Sequence, residues 1–195
     1  ILYNARLRTR PYELTPGQTD EVFDGIHHEL LQIVEDGGNY RDMVKLMEKA
    51  AKKTAEIPVR EGRFPKVGMF GEIYVRSHPG SNEDSIRKLE EHKLEVVPRL
   101  TADMLEYNNK MQRAAFWKER RFGNWLVATI KGMYMHKVET DFARPFHDYL
   151  KDRTQKRPME IYELLRQKNI FDIRIKGEAG ISIGVSYMFM NDNPE

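Results

Sequence analysis

Cysteine is absent from the 195 residues of this chain. Within these residues that excludes disulfides, cysteine nucleophiles, thiolate zinc sites and cysteine-ligated iron–sulfur clusters. Long apolar runs are also missing. No stretch approaches the roughly 18 apolar residues of a membrane span, and the first residues hold no apolar core of a signal peptide. A surplus of one charge is missing too: 32 basic residues face 30 acidic ones, a net charge of +2. The broad basic footprint of a nucleic-acid binder is therefore not there. Neither the Gly-x-Gly-x-x-Gly dinucleotide fingerprint, nor the phosphate loop ending in Gly-Lys-Ser/Thr, nor the His-Glu-x-x-His zinc pattern occurs. The expectation is a cytoplasmic protein with no nucleic-acid partner, no membrane span and no metal ligand set of its own.

What is present is the composition of a soluble globular protein, 40% hydrophobic and 32% charged. The length suits one domain, or one domain with an appendage. The chain opens on Ile1 rather than Met and is expected to be an excerpt of a longer polypeptide. Residues 1–58 read as a helical segment. Thr15 is placed as a helix cap, with Pro16 first in the helix and Gln18 at the capping-box spacing. Val22, Phe23, Ile26, Leu30, Ile33 and Val34 follow a helical period. Gly37-Gly38 stops that helix, and Asn39 with Asp42 starts the next. The spacing predicts an antiparallel hairpin.

Ile57 to Pro65 reads as a linker broken by Pro58, Gly62 and Pro65. Residues 59–195 then form an α/β domain with a short parallel sheet, carrying a long helical insertion at about 101–168. Its first strand covers Lys66–Gly71 and is extended in this reading to Val75. A helix over Asn82–His92 and a second strand over Leu94–Val97 follow. Lys110–Val138 reads as one long helix, with Gly123 and Gly132 as points where it bends or breaks. Phe171–Ile175 is a weak strand candidate.

Ligands of open α/β folds bind at the carboxyl ends of strands, so the loop after the first strand is the candidate site. It offers Gly71, Glu72, Arg76, His78, Ser81 and Asn82. On one reading Gly71 admits a ligand close to the backbone, Glu72 or Arg76 contacts it, and amides near Ser81–Glu83 hold an anion. On the other, the glycines serve tight packing and the charged residues pair internally. Gly177 and Glu178 form a second Gly-Glu pair, where a carboxylate near a helix start is stabilised by the helix dipole in any case. Of six histidines only His78 falls in this loop. Lys110–Arg121 interleaves Lys110, Arg113, Lys118, Arg120 and Arg121 with Phe116 and Trp117. Such a mixture suits either a nucleotide-like ligand or the solvated face of a helix. No catalytic residue can be assigned from spacing.

The block from Pro65 to Pro98, with Gly-Glu-Ile-Tyr-Val-Arg at its centre, resembles one found in activase-related proteins of the 2-hydroxyacyl-CoA dehydratase superfamily. Two weaker blocks agree. One is Arg10-Pro11-Tyr12-Glu13 followed by Gly17-Gln18-Thr19-Asp20. The other is Ile175 to Ala179 followed by Ile181 and Gly184. The resemblance spans nearly the whole chain, and Gly71, Glu72, Tyr74, Arg76, Asn82, Gly177 and Glu178 match the motif. It implies a Rossmann-like fold and a link to ATP-driven electron transfer in anaerobic acyl-CoA dehydration or reduction. It also implies an ATPase activase component or domain as partner, an acyl-CoA ligand, and an iron–sulfur cluster in the full-length protein. The cluster's cysteines are expected upstream of Ile1 and beyond the last residue here. Two rival readings remain. One is a small-molecule anion-binding module built on Arg76. The other is a non-catalytic interaction domain that exposes Trp117, Phe122 and Trp125.

Overall fold

The computed structural model describes residues 1–99, 102–153, 158–170 and 178–192. In chain order the elements are α1 (Leu2–Thr9), α2 (Gln18–Glu35), α3 (Tyr40–Ala55), β1 (Lys66–Met69), α4 (Ile73–Ser77), α5 (Ser85–Glu91), β2 (Glu95–Pro98), α6 (Ala102–Lys118), α7 (Phe122–Ala143), α8 (His147–Leu150), α9 (Pro158–Gln167) and α10 (Glu178–Asp192). Short 3-10 turns cover Arg10–Tyr12, Arg144–Phe146 and Lys151–Arg153. The fold is mostly helical with a short two-stranded sheet, a mixed α/β arrangement. The Glu95 amide donates to the Pro65 carbonyl at 2.9 Å and the Arg99 amide to that of Met69 at 3.3 Å. Both partners advance together along the chain, so the strands are parallel.

The chain packs into two units. The first comprises Ile1–Val67, Asp84–Val97 and Thr140–Arg153. Its centre is the expected hairpin of α2 and α3. The amide of Gly38 donates to the Ile33 carbonyl at 2.7 Å, and Gly37 has a φ of +69°, a conformation that favours glycine. Asn39 and Asp42 form the expected capping box. Ala5, Phe23, Ile26, Leu46, Met47, Ala50 and Ile57 close around Phe146, which is 1% exposed. The start of α2 corrects the sequence reading. Thr15 does not cap it. The carboxylate of Glu13 accepts from the amides of Gly17 and Thr19, both at 2.7 Å, so α2 begins at Gln18. The linker is also no free connection. Leu14 donates to Pro58, Arg60 donates to Tyr12, and Glu13 bridges Val59.

The second unit comprises Gly68–Glu83, Pro98–Glu139 and Thr154–Glu195. Tyr107 of α6, Ile161, Tyr162 and Leu165 of α9, and Ile181 and Val185 of α10 form its core. The helix read over Lys110–Val138 is two helices. The chain reverses at Arg120, whose φ is +57°, whereas Gly123 and Gly132 lie inside an unbroken α7. Gly132 has a packing role instead. A Cβ there would stand 2.6 Å from Asn109 Oδ1, and the Asn109 amide donates to the Ala128 carbonyl at 3.0 Å. The weak strand candidate at Phe171–Ile175 lies outside the described residues.

Candidate functional site

The expected strand from Lys66 to Val75 ends early. Beyond Met69 the chain turns at Gly71, whose φ is +121°, and enters α4. The cause lies in Glu72. Its carboxylate accepts from the Val75 amide at 2.8 Å, the bond of a helix N-cap. The hydrogen bonds from the Val75 and Tyr74 amides hold the Glu72 carboxyl below the usual range. Asn82 closes the other end of α4 by donating to the carbonyls of Val75 at 3.0 Å and Arg76 at 3.3 Å. Arg76 is 6% exposed, and its Nη1 donates to the Arg99 carbonyl just past β2 at 2.6 Å. It fastens α4 to the end of the sheet.

Tyr74 and His78 lie on the outer side of this turn, stacked with ring centroids 4.9 Å apart. Ser81 Oγ is 3.3 Å from His78 Nδ1. The amides of Ser81 and Asn82 both donate to the His78 carbonyl, at 2.9 and 3.2 Å. That use withdraws two of the donors proposed for an anion. The helix that follows begins at Ser85 rather than Asn82. Glu83 and Asp84 take positive φ values, and Asp84 makes no side-chain cap. Six of the eight sequence-predicted residues are thus gathered in one turn–helix–turn. Gly177 lies outside the described residues, and Glu178 opens α10.

Two charge clusters in the first unit were not visible as sites in the sequence. Around Asp20, the guanidinium groups of Arg6 and Arg10 bond Oδ1 and that of Arg87 bonds Oδ2. Burial opposes ionisation of this carboxyl, but the hydrogen bonds from Arg87, Arg6 and Arg10 outweigh it and hold the pKa at about 2. Arg10 also grips Glu90 with two nitrogens, at 2.7 and 3.0 Å. The second cluster is fully buried. Arg153 donates to Glu95 Oε1 at 2.6 and 2.9 Å and to Asn4 Oδ1 at 2.7 Å. Tyr12 donates to Glu95 Oε2 at 2.7 Å and accepts from the Phe64 amide at 2.8 Å. Burial, foremost, pushes the Tyr12 hydroxyl above its ordinary pKa. The sequence signal for these clusters was the membership of Arg10, Tyr12 and Asp20 in one of the resembling blocks and of Arg87, Glu90 and Glu95 in another.

The basic and aromatic residues of Lys110–Arg121 are largely engaged with each other and with near neighbours. Arg113 lies over the Trp125 ring at 6.0 Å and Arg121 over Phe116 at 4.8 Å, while Lys110 pairs with Glu106 at 2.8 Å. Trp117 and Phe122 are exposed and Trp125 is half-buried. They continue into an apolar face of α7 formed by Leu126, Val127, Ile130, Met133 and Tyr134, each 53–69% exposed.

Among the described residues no three side chains are grouped so as to hold a metal ion, and no helix is long and apolar enough to cross a membrane. Comparison with family models, curated proteins and solved structures found no match.

Proposed function

We propose that this chain is a dehydratase-like structural domain of an activase-related protein of the 2-hydroxyacyl-CoA dehydratase superfamily. It is a Rossmann-like variant with a much reduced sheet, works in the cytoplasm, and is paired with an ATPase activase component or domain. One observation carries the scaffold role. Polar residues of the resembling blocks spend these hydrogen bonds on the chain's own groups. Glu13, Glu72 and Asn82 satisfy helix ends, Arg76 fastens α4, and Tyr12 joins the buried pair of Glu95 and Arg153. A catalytic set would instead converge on a point that a substrate can reach.

The iron–sulfur cluster implied by the resemblance does not fit the donors here. Its irons require thiolates, and the sequence has no cysteine. No step through a cluster is therefore assigned to these residues, and the cluster and any acyl-CoA chemistry belong to the full-length protein. Anaerobic expression of that protein, with its iron content and absorption spectrum recorded, tests the family reading. An iron-free protein with no activity overturns it. The scaffold role is tested separately by Arg76→Ala. The expected outcome is a lower unfolding midpoint, with CoA-thioester affinity unchanged in whatever fraction remains folded. A variant of undiminished stability that no longer binds CoA thioesters would make Arg76 a ligand contact instead.

A further inference from the structure

We draw no further inference here: the strongest candidate, the exposed apolar face of α7 formed by Leu126, Val127, Ile130, Met133 and Tyr134, carries nothing because nothing in the structure shows what covers it.

Discussion

Asp20 holds three guanidinium groups at once, so its ionised form is part of what keeps α1, α2 and α5 together. Its folded pKa, about 2, lies below the ordinary value of 3.8. A depressed carboxylate contributes stability that is fully present above the unfolded pKa and is lost as the pH falls through the folded one. Urea midpoints measured between pH 5 and pH 2, a window of about three units around that shift, should therefore fall most steeply from about 4 downward. Asp20→Asn should flatten this slope and lower stability at neutral pH. An unchanged slope in the variant would place the acid sensitivity elsewhere. Arg153 makes a different case, because its side chain is fully buried against Glu95. Removing one member of such a pair leaves the other buried and uncompensated, at a cost of about 3–5 kcal/mol. Arg153→Met should show that loss in denaturant titration, and the double variant with Glu95→Leu should recover part of it. A double variant as unstable as the single one would show that the stranded carboxylate is not the cause. Neither cluster could be read from the sequence, because the partners lie as far apart as residues 10 and 90, or 95 and 153. Acidic and basic residues are too evenly spread for spacing to pair them.

The short helices depend on caps, and here local sequence was informative where the capping residue is adjacent. Asn39 and Asp42 announce α3 three residues apart, and the structure keeps them. The start of α2 was misplaced because its cap comes from Glu13, four and six residues ahead of the amides that it serves. The break between α6 and α7 was misplaced for a related reason. Glycine is the usual signal for a left-handed residue, but Arg120 takes that conformation and both nearby glycines remain helical. In α4, Glu72 and Asn82 cap a helix of five residues, too short to persist on its own. Glu72→Ala should lower the unfolding midpoint, as the loss of an N-cap does, measured by denaturant titration. An effect on ligand affinity without an effect on stability would contradict the capping role. Gly184 is the strongest case of close helix approach. A Cβ there would lie 2.1 Å from Ile161 Cγ2 and 3.1 Å from Leu165 Cδ1, so α9 and α10 pack through this position. Gly184→Ala should destabilise by roughly 1–3 kcal/mol, the cost of overpacking a core, although alanine favours an isolated helix. A stabilised variant would mean that α10 can shift to make room.

The largest-scale feature that the sequence did not reveal is how the chain is shared between its units. Breakers such as Pro58, Gly62 and Pro65 are local signals. They say where an element ends, but not which later segment returns to the same core. The first unit recovers residues 140–153 after the chain has formed α6 and most of α7 in the second. That returning segment supplies Phe146 and Arg153, each almost completely buried. Phe146 belongs to the core that α1, α2 and α3 build, a burial worth about 1.5–3 kcal/mol. Arg153 neutralises Glu95 and satisfies Asn4. A fragment of residues 1–139 contains every helix of the hairpin and both strands, yet it leaves a cavity at Phe146 and an unpaired carboxylate at Glu95. Those two losses together approach the whole stability of a typical domain, about 5–15 kcal/mol. The fragment should retain some helical circular dichroism from α2 and α3 but show no cooperative thermal transition. A synthetic peptide of residues 140–153, added in excess, should restore a transition whose midpoint rises with peptide concentration, because the peptide binds only the folded form. The same peptide with Arg153→Met should restore less. A sharp, peptide-independent transition in the 1–139 fragment would show that the hairpin core is sufficient without the returning segment.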